Sequence, residues 1–152
     1  MNIIAKDFSM ATQSYDIFLS GCSAEPRCQD CHNPEAWDFE VGKDWKQWIF
    51  QINRDMQSFK GVIKKIFIMG GEPLDQDREE FLEFIKGMKE FGKEVWLFTR
   101  FELDEIEPEV KELFDYIKCG RYLPELSTDD NIQYGVKLAT SNQQIYKKGV
   151  DY

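Results

Sequence analysis

The stretch "YDIFLSGCSAEPRCQDCHNPEAWD", residues 15–38, opens as an apolar, strand-like run that stops at Gly21 and passes into a loop. That loop holds three of the four cysteines in the chain and its single histidine. A buried strand that ends on a glycine and releases a ligand-rich loop is the layout of an α/β fold, in which ligands gather beyond the strand ends. Cys22, Cys28 and Cys31 are spaced C-x5-C-x2-C.

The rest of the chain extends this layout. Asp44 stands three residues before Gln47, a capping-box spacing, and Trp45, Trp48, Ile49, Ile52, Met56 and Phe59 follow at helical intervals. The spacing predicts a helix from Asp44 to about Phe59. Next, "IFIM" (66–69) is short, apolar and closed by two glycines, as a strand covered on both faces would be. Asp77 and Glu80 repeat the capping box, and Phe81, Ile85 and Met88 form a second apolar stripe that ends at Gly92. A strand is expected over "EVWLFTR" (94–100), a broken helical stretch around Pro108, and a last strand over "DYIKCG" (115–120). Alternation of this kind predicts a mostly parallel sheet, either open or part of a barrel. The polar and glycine-rich oddities all follow strands: the cysteine loop, "GGEP" (70–73), Thr99 with Arg100, and Gly120 with Arg121. From about residue 122 the rhythm is lost and the tail reads as irregular, with a strand near residues 135–139.

Length and charge narrow the function classes. The 152 residues suit a single domain, 1–152. A net charge of -9 repels phosphate backbones, which sets nucleic-acid binding aside. Apolar runs are only a few residues long, so no membrane span is expected. Residues 1–10 carry no apolar leader, and the thiols are expected to be reduced, in a cytoplasm.

Three thiolates on one loop can converge on a soft metal centre. A four-iron cube held by three cysteines keeps one iron open, and an open metal position indicates chemistry. The alternative is a structural zinc site completed by Cys119 or His32, in a non-catalytic interaction protein. His32 directly follows Cys31 and is poorly placed to return to the same ion; Cys119 is the better rival, although a lone cysteine in an apolar strand also reads as an inert core residue. On spacing alone both metals stay open. The motif "MGGEP" (69–73) sets two glycines beside Glu72 after a strand, so that backbone can approach a ligand and a carboxylate can take an ammonium group.

Together, the three-cysteine loop after the first strand and the "GGE" motif after the second resemble the radical S-adenosylmethionine superfamily. "CHNPEAWD" (31–38) is similar to the glycyl-radical enzyme activases, and the length with the tail "GVKLATSNQQIY" (135–146) is most like the activating proteins of anaerobic ribonucleoside-triphosphate reductase. The first cysteine gap departs from the usual three residues of that family by two, Pro26 among the five. The resemblance implies a short partial, open βα barrel and a 4Fe-4S cluster on Cys22, Cys28 and Cys31, with S-adenosylmethionine on the fourth iron. Gly70, Gly71 and Glu72 would secure the amino group of that cofactor, Asp30, Cys31 and His32 would lie along its nucleotide, and Thr99 would reach its ribose or carboxylate. It further implies an oxidoreductase that cleaves S-adenosylmethionine to a 5'-deoxyadenosyl radical and makes a glycyl radical on a partner reductase. A reduced flavodoxin- or ferredoxin-type protein would supply the electron. Another glycyl-radical enzyme or a small molecule is the alternative target. The tail after Tyr122 is expected either to border a lateral gap and help dock the partner or to form a lid over the sheet edge; Trp45, Trp48 and Trp96 read as core, and Trp37 either flanks the cluster loop or, the favoured reading, packs on the first helix.

Overall fold

The computed structural model describes residues 1–152. Strands β1 (Asn2–Ser9) and β2 (Ser14–Leu19) form an antiparallel hairpin, followed by the cysteine loop and a two-residue strand β3 (Lys43–Asp44). Helix α1 (Trp45–Ser58), strand β4 (Lys65–Gly70), helix α2 (Arg78–Lys89) and strand β5 (Glu94–Phe98) then alternate. A short helix α3 (Pro108–Lys111), strand β6 (Tyr116–Cys119), a small hairpin β7 (Ile132–Gln133) and β8 (Val136–Lys137), and strand β9 (Gln144–Lys147) complete the chain. The main sheet has seven strands in the order β3-β1-β2-β4-β5-β6-β9. Its centre, β2-β4-β5-β6, is parallel, and antiparallel strands flank it on both sides. The edges β3 and β9 do not pair, so the sheet is open rather than closed into a barrel.

Sequence accounts for each central element. Asp44 caps α1 by accepting from Lys46 N at 2.9 Å, and Asp77 caps α2 by accepting from Glu80 N at 3.0 Å. Trp45, Ile52 and Met56 of α1 and Phe81, Ile85 and Met88 of α2 are buried against Ile17, Ile66, Ile68, Val95 and Ile117 of the sheet. Phe59 falls outside this core: it is 47% exposed, and its ring stacks on Phe8 with centroids 6.1 Å apart. The other sheet face carries Phe67, Trp96 and Tyr116, packed beneath Val136, Leu138 and Ile145 of the tail. Helices thus cover one face, and the tail covers part of the other.

Two expectations need revision. β1 interrupts the anticipated strand–helix alternation; a register shift between Ile3 and Ala5 breaks its period of two, and Lys6 turns to the buried Asp55. The tail is more ordered than its sequence suggests. In place of one strand over 135–139 it forms the β7-β8 hairpin, turning through Tyr134 and Gly135 at φ 48 and 77, and then adds β9 along β6.

Candidate functional site

One cavity of about 270 Å³ lies beyond the C-terminal ends of the parallel strands. Cys22, Cys28 and Cys31 line it together with His32, Trp37, the Gly70–Glu72 turn, Thr99, Arg100, Lys118 and Tyr122. All three cysteines are free thiols. Such a set suits a multi-iron cluster, whose thiolates sit at separate corners. The rival fourth ligand is absent from the cavity wall: Cys119 is fully buried in β6 among Ile117 and its core neighbours. Burial pushes its thiol up to about 12, so it is a poor source of thiolate.

The cysteine loop and the glycine turn are built as one piece. Gly71 N donates to Leu19 O at 2.8 Å and Glu72 N to Gly21 O at 2.7 Å. A Cβ on Gly71 would lie 2.2 Å from Gly21 O, and one on Gly70, at φ 122, 2.2 Å from Leu19 O. The close approach that these glycines permit is to protein backbone, and both also line the cavity. Gln76 Nε2 tightens the same junction, donating to Ser20 O at 2.9 Å and to Glu72 O at 3.2 Å.

Glu72 is 1% exposed, and its oxygens already serve the protein. Oε1 accepts from Leu74 N at 3.0 Å and Thr99 Oγ1 at 2.7 Å; Oε2 accepts from Arg100 N at 2.8 Å. Burial raises its pKa against these three bonds. A carboxylate accepts about four hydrogen bonds, so roughly one position is left for an ammonium group. Thr99 has spent its only proton on Glu72 and accepts from Phe101 N at 3.2 Å. Thr99 also lines the cavity.

The long first cysteine gap has its own supports. Ser23 N donates to Asp75 Oδ2 at 2.6 Å, and Arg100 Nη2 grips both oxygens of Asp75 at 3.0 and 3.2 Å. From the other side Arg121 donates to Pro26 O. Arg27 donates to Cys22 O, and its guanidinium lies 5.3 Å above the Trp37 ring. Trp37 therefore belongs to the cavity wall and not to the α1 packing expected from sequence. His32 lines the cavity with its ring 4.7 Å from that of Tyr122. Asp30 is exposed at φ 53 and lies outside the lining, so the structure does not bring it to the other candidates.

Sequence reasoning passed over Asp75, Tyr122 and Lys118. Burial lowers the Lys118 pKa to about 8 despite the nearby Glu72. Its ammonium donates to Gly120 O at 2.8 Å, and the clue was a lone lysine in the apolar run "YIKC". The tail also supplies wall, through Lys137, Leu138, Ala139 and Gln143.

A family model described as "4Fe-4S single cluster domain" matches residues 14–145. Three relatives share the name anaerobic ribonucleoside-triphosphate reductase-activating protein. That of Escherichia coli K12 is 27% identical over 137 residues, covering 86% of this chain and 85% of the relative. The Salmonella typhimurium protein is 26% identical over 137 residues and that of Vibrio cholerae 23% over 138, with the same coverage of both chains.

Proposed function

Since this chain belongs to the 4Fe-4S single-cluster domain family, we propose that Cys22, Cys28 and Cys31 each ligate one iron of a 4Fe-4S cluster and that S-adenosylmethionine occupies the fourth. The observation that carries this reading is the convergence of three free thiols and the Gly70–Glu72 turn on one cavity. When bound, the reduced cluster would supply one electron to the sulfonium of S-adenosylmethionine, breaking its sulfur–5' carbon bond to give methionine and a 5'-deoxyadenosyl radical, the species that would take a hydrogen from the α-carbon of a glycine in a partner protein.

The chain's own residues bind, orient and enclose. Carbonyls of the Gly70–Gly71 turn and the remaining acceptor position of Glu72 receive the amino group. His32 and Tyr122 wall the nucleotide side beside Cys31, and Thr99 keeps the Glu72 carboxylate aimed. Leu138 and Ala139 exclude water from the side of the tail. We read residues 1–152 as one unit and its open sheet as a short partial barrel, whose missing strands leave room for a loop of another protein.

The relatives' names favour anaerobic ribonucleoside-triphosphate reductase as that partner, with a reduced flavodoxin- or ferredoxin-type electron donor. The chain is then an oxidoreductase of the radical S-adenosylmethionine type, and an oxygen-sensitive cluster with free thiols fits a reducing cytoplasm. Anaerobic reconstitution with iron and sulfide is expected to give a brown protein that forms 5'-deoxyadenosine from S-adenosylmethionine when reduced. Adding the reductase is expected to produce a glycyl radical seen by electron spin resonance. A colourless, zinc-loaded product with no 5'-deoxyadenosine would overturn the reading.

A further inference from the structure

Arg100 stands where three elements meet. Its backbone N–H donates to Glu72 Oε2, and its Nη2 holds Asp75, which in turn accepts from the backbone of Ser23, the residue after Cys22. A guanidinium carried by the end of β5 is thereby fixed beside the first cysteine, and both side chains line the cavity. One buried donor of this guanidinium is unused. Nε is buried and has no hydrogen-bond partner in the chain; the nearest carboxylate oxygen, Glu72 Oε2, is 3.9 Å away, beyond bonding reach. Buried donors are retained without a protein partner where something else supplies the acceptor.

We propose that Arg100 sets the reduction potential of the iron–sulfur cluster, its charge and its free Nε–H serving the sulfur atoms at the Cys22 corner while Asp75 holds it in place. The proposal rests on the cluster assignment made above. Reduction adds one negative charge to a cluster whose sulfurs are already electron-rich, and a fixed cation with an N–H donor favours the reduced state. Asp75 offsets part of the charge, but it fixes the plane of the guanidinium. The competing role for the same group is to bind the carboxylate of S-adenosylmethionine.

The test is a redox titration by electron spin resonance on reconstituted wild type, Arg100→Gln and Arg100→Lys, without S-adenosylmethionine, with iron and sulfide measured on each. Arg100→Gln is expected to keep its iron and to titrate at a more negative potential than wild type. Arg100→Lys keeps the charge, loses the Nε–H and is expected to fall between them. Unchanged potentials in both variants overturn the proposal; if S-adenosylmethionine binding, measured separately on the same variants, is then weakened, Arg100 belongs to the carboxylate. If Arg100→Gln fails to hold iron, Arg100→Lys decides by its potential; if neither holds iron, Arg100 merely supports the loop and the proposal falls. A wild-type protein that takes up no cluster refutes the cluster assignment itself, a separate result.

Discussion

Replacing Gly71 by alanine tests whether the cysteine loop and the glycine turn are one unit. The added Cβ would sit 2.2 Å from Gly21 O, 2.6 Å from Ala36 O and 2.7 Å from Gly21 C. All three are backbone atoms, so no side-chain rotation relieves the clash. To restore ordinary van der Waals contact the turn must retreat by more than ~1 Å. That movement breaks the bonds Gly71 N to Leu19 O and Glu72 N to Gly21 O, now 2.8 and 2.7 Å long. Two hydrogen bonds at about 0.5–1.5 kcal/mol each, with an overpacking cost of about 1–3 kcal/mol, sum to a loss of about 2–6 kcal/mol. The assay is urea denaturation of the cluster-free protein, paired with iron content after reconstitution. Gly87 in α2 provides the control: a Cβ there meets nothing within 4 Å, and alanine should stabilise the helix by about 0.8–1 kcal/mol. A Gly71→Ala protein within ~0.5 kcal/mol of wild type and with normal iron uptake would refute the claim that the two segments are interlocked.

Other expectations follow from single contacts. Alanine at Cys22, Cys28 or Cys31 should each abolish stable cluster loading as read by visible absorbance, whereas Cys119→Ala should keep full iron content and lose only about 1 kcal/mol from the small void left in the core. Asp55 ties α1 to β1 and β2 by accepting from Lys6 Nζ and from Tyr15 OH, so Asp55→Asn should cost about 1–3 kcal/mol in thermal or urea unfolding. Burial alone would push this carboxyl up, but the bonds from Lys6 and Tyr15 outweigh it and leave the pKa lowered. Its stabilisation is therefore complete above the ordinary carboxylate range and drains away as pH falls through the lower folded-state value; a variant deficit that stays constant into strong acid would contradict this. Asp16 has the opposite sign. Burial raises it to about 6, with Asp7 opposite adding to the push and Ser14 opposing it. Asp16 thus costs stability progressively as pH rises from the ordinary carboxylate value to about 6, and in full above it, so Asp16→Asn should gain about 1–2 kcal/mol at pH 7 and almost nothing at pH 3.

The central sheet and its helices were legible because their signals are local. Asp44 and Asp77 mark helix starts, the apolar stripes behind them have one period, and the strand runs at 66–69 and 94–98 are short and bounded. β1 was not, because its register shift destroys the alternation that identifies a strand, and β9 contributes only Ile145 to the core from a polar tail. The three cysteines and the glycine turn announced the site by residue type. Asp75 and Tyr122 could not do so: each matters because the fold brings it to the cysteine loop, and nothing in its immediate neighbours says that it will, whereas Lys118 left one local trace, a single charge in an apolar strand. The packing of Gly71 against Gly21 O was not legible, since a glycine needed against backbone and a glycine needed against a ligand look the same in one dimension.

The cavity wall draws on both early and late parts of the chain, from Cys22 to Gln143. A ribosome reads these in order, so the first three thiols emerge long before Leu138 and Ala139 can roof them. During that interval the loop lacks the wall that Leu138 and Ala139 supply. On the proposed cluster assignment, loading is therefore expected to follow synthesis, once residues 137–143 have closed the wall.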